Sequence, residues 1–494
     1  MDKTALVVGA GLGGLSTALR LQHLGYSVTV LEMNDQAGGR LNQLQKDGFT
    51  WDLGPTFFSM TYEFHDFLKD IGIENGFQFT ELEPLYQVNF SDSQKWYRVS
   101  KDLNRLAAEF SAVEPDIDKK MEKLLAKTGK LFHDTENKIV RKNIDTSLQY
   151  LYNILRVPPR HIPLLFRSFW KENSRYFNSR EAREIFSLVA FFLGGTPFTT
   201  SAVFTLLTYV EMKHNGYHNV AGGMYQIVKF LLDKFKERNI KIRYNTRITG
   251  YRDNGNNRLS LTDNSGKEWK ADVIVINADA ALFRSRILQR EAYNENRLAK
   301  LNWTMAPFTI YLGIDKKLDK LEQHNYFLGR DFRDYASNIF SSNADLSKPY
   351  YYVNVPSKNN PESAPQNCEA LYILCPVPHL QHKNQWDDSE EFASSIISDL
   401  GQRIGVELEK HIISKTVMTP LDWRDKFDLY QGSGLGLAHN LTQMAALRPK
   451  NRDEKFRNLY YVGASTVPGT GLPMVIISSK LVTEQILKDH GPVS

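Results

Sequence analysis

Three glycines near the start of the chain, Gly9, Gly11 and Gly14, follow a short apolar strand and open an apolar-periodic helix in the stretch TALVVGAGLGGLSTALRLQHLGYSVTVLE. A second, β-branched strand closes at Glu32, eighteen residues beyond Gly14. Each residue type has a task. Gly9 allows a tight turn, Gly11 lets the backbone approach a pyrophosphate, Gly14 lets helix and strand come close, and Glu32 can accept a hydrogen bond from a ribose hydroxyl. Oriented N–H groups at the helix start face the phosphates. A glycine triplet alone says little, but strand, glycine turn, helix, strand and acid in that order point to dinucleotide binding.

Two further stretches have the same character. In AGGRLNQLQKDGFTWDLGPTFF, Gly38, Gly39 and Arg40 combine a flexible turn with a fixed cation, which suits the same pyrophosphate from its other side. Asp52, Leu53, Gly54, Pro55 and Thr56 then give a second tight turn. Near the other terminus, NLYYVGASTVPGTGLPMVIISSK runs from a strand through a Gly- and Pro-rich loop into an apolar helix opened by Pro473. That strand is expected to return to the first sheet and to place Gly463 and Ala464 beside the cofactor. Pro473 suits a first helical turn, and the positive end of its helix would face a centre that gathers negative charge.

The elements that must position these residues are more than one core usually organises: 494 residues predict two connected domains. Lys plus Arg number 61 against 56 Asp plus Glu, an excess of 5 spread along the chain. This is too weak for nucleic acid, although it suits an anionic membrane surface. Cys368 and Cys375 are the only cysteines, which excludes a disulfide scaffold, leaves no metal-ligand spacing and fits a reduced, cytoplasmic setting. The start of the chain shows no secretory or import leader, and no uncharged apolar run is long enough to span a bilayer. The nearest, residues 185–209, is broken by Gly194, Gly195 and Pro197, and reads as two helical pieces, buried or membrane-facing, joined by a turn.

The second clamp around Arg40 and the turn at residues 52–56 resemble the FAD-binding glutathione-reductase-like superfamily, in particular its amine oxidases and carotenoid desaturases. Gly194-Gly195-x-Pro197, a helix through Glu211, and an aromatic approach to Gly222-Gly223-Met224 followed by an amphipathic helix resemble the bacterial-type phytoene desaturases. In IKIRYNTRITGY, read as an exposed-edge strand pair, the resemblance places Ile248 at the adenine end of FAD. The run ADVIVINADAALF brings a buried strand under the cofactor and ends in Asn277, Ala278 and Asp279. The cofactor set implied is completed by Leu12, Gly13, Met33, Leu41, Met474 and Val475.

The fold expected is α/β: a Rossmann-like FAD domain from segments near 1–70, 220–300 and 445–494, with an α+β substrate and membrane-facing domain at 71–219 and 301–444. The strands APFTIYLGI and CEALYILCPVP resemble the floor of a substrate cavity. The resemblance implies FAD-dependent desaturation of a long carotenoid, with hydride leaving to flavin N5, reoxidation by oxygen or a quinone, and monotopic attachment to the membrane, for which residues 185–209 are a candidate surface. No Ser-His-Asp or metal constellation is needed and none is found. Arg167, Arg175 and Glu211 are proton-handling candidates by position, and His218 and His439 read as structural. Many phytoene desaturases read roughly GAGTHPGGGIPG where Val467 here replaces the His and Met474 a Gly. The departures suit a later step, such as hydroxycarotenoid 3,4-desaturation. Flavin-dependent isomerisation without net oxidation and a non-enzymatic carrier of prenylated proteins stand as alternatives on the same scaffold.

Overall fold

The computed structural model describes residues 3–74, 76–143, 152–153, 155–444 and 447–493. The domain boundary expected at residue 445 falls outside them. Two sheets organise the chain. The first has five parallel strands in the order Leu459–Tyr461, Val273–Ile276, Thr4–Val8, Ser27–Leu31 and Lys241–Arg243. Its central strands carry aliphatic residues on both faces, as a sheet covered on both sides requires. On one face Val7, Val30 and Val275 meet Leu15 and Leu19 of the Leu12–His23 helix, Leu231 of the Gln226–Glu237 helix, and Ile476 and Ile486 of the Leu472–His490 helix. Both termini of the chain thus share one core.

The second sheet has seven strands, in the order Ile412–Met418, Ala306–Ile314, Glu369–Val377, Tyr351–Asn354, His324–Leu328, Tyr86–Phe90 and Trp96–Val99. Neighbours are antiparallel except for His324–Leu328 beside Tyr86–Phe90. One face is covered by the Ser389–Ile404 helix through Ile396, Ile397 and Leu400. The other presents Tyr326, Tyr352 and Tyr372 toward the interior of the molecule.

The run IKIRYNTRITGY is not a strand pair. Lys241–Arg243 is the parallel edge of the first sheet, whereas Ile248–Asp253 pairs antiparallel with Leu259–Asp263 in a separate three-stranded sheet. Asn245 sits in the left-handed region at φ +53° and breaks the strand direction, and the Thr246 amide ties back to the Glu32 carbonyl at 2.8 Å. The segment at residues 185–209 also differs from two regular helices. It folds as 3-10 turns at Leu188–Leu193 and Ala202–Thr205 and a single α turn at Leu206–Tyr209, continued by a π turn at Val210–His214. The two glycines and the proline prevent longer runs. Among the described residues, no helix is long and apolar enough to cross a membrane.

Candidate functional site

The glycine turn is shaped by close approach. A Cβ on Gly14 would lie 2.0 Å from the Gly9 carbonyl oxygen, so no side chain fits where the first helix leaves the sheet. Gly11 forms a bridge to Gly38 of the second glycine turn. The first helix has neither a side-chain cap nor an acid in its first turn, which leaves its amide donors to meet an anion.

Glu32, buried at the end of the second strand, accepts from the Ala10 amide at 2.7 Å and the Asn34 amide at 2.9 Å. Burial raises its carboxyl above the usual range while these amides oppose the shift. Across the cleft, Arg40 Nη1 donates to the Gly434 carbonyl at 2.8 Å. Its guanidinium is desolvated, which lowers its pKa, and faces the carboxylate of Asp279. Asp279 in turn accepts from the amides of Ala281 and Leu282 at 2.9 and 3.0 Å.

These groups share one cavity of about 1030 Å³. Its wall contains every residue of the sequence-derived cofactor set except Gly14, which acts from behind it: Gly9, Gly11, Leu12, Gly13, Glu32, Met33, Gly39, Arg40, Leu41, Gly54, Pro55, Thr56, Ile248, Asn277, Ala278, Asp279, Gly463, Ala464, Pro473, Met474 and Val475. The C-terminal helix opens onto it at Gly471, φ +111°, with no side-chain cap and no acid in the first turn. FAD fits this donor set. One open helix start and Arg40 suit its pyrophosphate, the acceptor-only Glu32 suits a ribose hydroxyl, and the second helix start suits the electron-rich edge of its ring.

Beyond Thr56 the cavity becomes apolar. It runs between Tyr326, Tyr352, Tyr372 and Leu374 of the seven-stranded sheet and Leu188, Phe191, Phe204, Leu206 and Val210 of the broken helical segment. One part of the wall is polar: Glu63, Thr135 and Glu136, near Met60, Phe132 and Met474. Arg141 Nη2 lies 2.5 Å from Glu63 and 3.2 Å from Glu136. Burial pushes the Glu63 carboxyl up to about 7 despite this cation, with the neighbouring Glu136 and Asp66 adding to the rise.

Of the proton-handling candidates, only Glu211 reaches the cavity. Arg167 lies elsewhere, held 2.5 Å from the buried Glu172, which also binds Lys127. Arg175 is exposed on the outer surface of the helical region. Both fail for the same reason: a flexible cation follows the nearest buried carboxylate or water. Val467 also points away from the cavity, against Ile477 and Leu481 under the C-terminal helix. His439 from a distant segment lies there instead. Its Nε2 accepts from the Thr470 amide at 3.4 Å and its Nδ1 faces the Leu193 carbonyl at 3.4 Å. Burial drives its pKa down to about 3, so the ring is neutral and pins the loop. His218 lines a separate small pocket.

Sequence reasoning missed Trp423, Leu435 and Gly436, which line the cavity beside the Arg40 partner Gly434. The signal available was the glycine alternation in QGSGLGLAHN. It also did not single out the Glu63–Arg141–Glu136 cluster, because Glu63 stands in the Thr61–Asp70 helix, far in sequence from the Glu136–Val140 turn that Arg141 closes.

Residues 12–487 match the family described as flavin containing amine oxidoreductase. A zeta-carotene-forming phytoene desaturase of Myxococcus xanthus is 32% identical, over 98% of this chain and 93% of that protein. A carotenoid 3,4-desaturase of Haloarcula japonica is 28% identical, over 98% of each. Among solved structures, putrescine oxidase bound to putrescine superposes with a TM-score of 0.66 at 14% identity, over 99% of both chains, a likeness of fold.

Proposed function

The chain belongs to the flavin containing amine oxidoreductases and, within them, to the phytoene and carotenoid desaturases, so it is an FAD oxidoreductase acting on CH–CH groups; from that premise we propose that its substrate is a long carotenoid polyene with a polar end group. Hydroxycarotenoid 3,4-desaturation is the specific reading. The observation that carries it is the continuity of the dinucleotide cleft with an apolar cavity whose wall includes Glu63 and Glu136, both paired with Arg141.

Bound FAD supplies the two-electron oxidation of the C–C bond. The chain's own residues do the rest. The open start of the first helix and Arg40 would hold the pyrophosphate, Glu32 would hold a ribose hydroxyl, and Gly463 and Ala464, in the same cavity wall, leave room for backbone to approach the cofactor. The C-terminal helix presents its positive end where negative charge develops. Tyr326, Tyr352 and Tyr372 line the polyene path and favour a carbon skeleton that becomes electron-poor. The carboxylates of Glu63 and Glu136 outnumber the guanidinium between them, so an accepting oxygen remains for a hydroxyl. A purely hydrocarbon end would leave those groups without that partner. Oxygen or a quinone serves as the final electron acceptor.

Membrane attachment belongs to the same proposal, through a different surface from residues 185–209. Those are largely buried, whereas Leu155 at 74% exposure, Phe166 at 81%, Tyr152 and Ile162 are exposed apolar side chains close in sequence to the exposed Arg156 and Arg160. Exposed apolar side chains interspersed with cations suit an anionic bilayer. The test of the substrate reading is incubation of the FAD-loaded protein with paired hydrocarbon and hydroxylated polyenes, followed by product masses. Loss of two hydrogens from the hydroxylated member is expected. Preferred conversion of phytoene to lycopene, with the hydroxylated member unchanged, contradicts the specific reading, and a product of unchanged mass would instead mean isomerisation.

A further inference from the structure

Among the described residues, the cavity wall contains six carboxyl groups: Glu32, Glu63, Glu136, Glu211, Asp279 and Asp428. Five are committed. Glu32 accepts two backbone amides, Glu63 and Glu136 share Arg141, Asp279 caps a helical turn opposite Arg40, and Asp428 pairs with Arg286 at 2.6 Å and Arg247 at 3.6 Å. Glu211 differs. It is 5% exposed, has no cation within ion-pair distance among the described residues, and faces the Tyr86 hydroxyl.

Its position is equally specific. The π turn Val210–His214 widens the backbone at this point, a distortion that re-aims side chains and recurs at functional sites. Tyr86, Tyr217 and Tyr326 face the carboxyl. Tyr217 and Tyr326 also line the cavity, and their rings stand 4.8 and 6.0 Å from Phe57, the residue after the 54–56 turn. The uncommitted acid therefore lies where the cofactor cleft passes into the apolar cavity.

We propose that Glu211 is the proton acceptor of the desaturation, a role that rests on the desaturase reading above. One substrate C–H bond leaves with both electrons to the oxidant that the family's activity supplies. The C–H bond on the neighbouring carbon breaks, its electron pair becomes the new π bond, and its proton passes to a Glu211 carboxylate oxygen. The Tyr86 hydroxyl stands beside that carboxylate. Burial raises the Glu211 carboxyl to about 7, which matches a group that must both accept and release a proton near neutrality. The tyrosines facing it are held well above their ordinary range by burial, so they remain neutral there.

The test compares FAD-loaded wild type with Glu211→Gln and Glu211→Asp, together with difference infrared spectra of the wild-type and Glu211→Gln apoproteins. Glu211→Gln is expected to bind FAD and polyene as wild type does, to turn over about 10²- to 10⁴-fold more slowly, and to lose the acidic limb of the pH profile near 7. Glu211→Asp should recover part of the rate. In the wild-type apoprotein buried carboxyl bands should titrate near neutrality, and one of them, beside that of Glu63, should be missing in Glu211→Gln. Wild-type conversion with Glu211→Gln within tenfold of it, or an unchanged acidic limb, overturns the role of Glu211 and leaves the desaturase reading standing. Absence of that titrating band overturns it even if the variant does not fold. A wild type that desaturates no polyene overturns both.

Discussion

Replacing Gly14 by Ala tests the contact on which the nucleotide end of the site depends. The added Cβ would stand 2.0 Å from the Gly9 oxygen, whereas ordinary contact begins at 3.4 Å, so helix and turn must separate by about 1.4 Å. The obstacle is backbone, not a flexible side chain, so no rotamer change relieves it. Overfilling a close contact of this kind costs about 1–3 kcal/mol of stability. The same displacement carries the open helix amides away from an anion, and loss of one charge-assisted hydrogen bond there costs about 1.5–3 kcal/mol, or about 10- to 150-fold in FAD affinity. Gly250→Ala is the control, because a Cβ there meets nothing within 4 Å. Urea unfolding of the apoproteins and flavin fluorescence titration measure the two effects separately. A Gly14→Ala variant with wild-type stability and wild-type FAD affinity refutes the reasoning.

Arg40→Met removes the cation opposite Asp279 and should weaken FAD binding about 10- to 150-fold in the same titration; unchanged affinity would remove Arg40 from the pyrophosphate site. The carboxyl of Glu211 is raised in the fold to about 7 from an ordinary value of 4.5, so its contribution to stability is complete below about pH 4.5 and is lost as pH rises through 7. Wild type should therefore lose stability relative to Glu211→Gln by at most about 1.4 kcal/mol per pH unit across that window, measured by urea unfolding, and parallel curves would contradict the shift. Phe166→Glu, at a side chain 81% exposed, should leave unfolding within about 0.5 kcal/mol of wild type and reduce flotation with anionic vesicles. Undiminished flotation would place the membrane surface elsewhere.

The sequence made the cofactor cleft readable because its chemistry is local. A turn such as Gly9–Gly11–Gly14 or the loop around Gly463 carries its constraint within a few residues, and the strands beside it declare their burial by unbroken aliphatic runs. The tyrosine wall was less legible, since Tyr326, Tyr352 and Tyr372 come from three strands and meet only through sheet register. Ion pairs were legible least. Arg167 and Arg141 look alike in sequence, yet one is held by Glu172 away from the cavity and the other by Glu63 in its wall. The same limit applied to Val467 and His439: a side chain missing from one motif was matched by another from across the fold, packed against Gly469.

In the proposed reading, one cavity, closed by both ends of the chain, joins an FAD site to a polyene site. Its most direct test is an anaerobic single turnover, with FAD-loaded protein mixed with a vesicle-borne hydroxylated polyene and followed by flavin absorbance and product mass. The result expected is one flavin reduced for each double bond gained, with a product two hydrogens lighter. Flavin that stays oxidised while the polyene is unchanged, in a protein shown to bind both, would contradict the account.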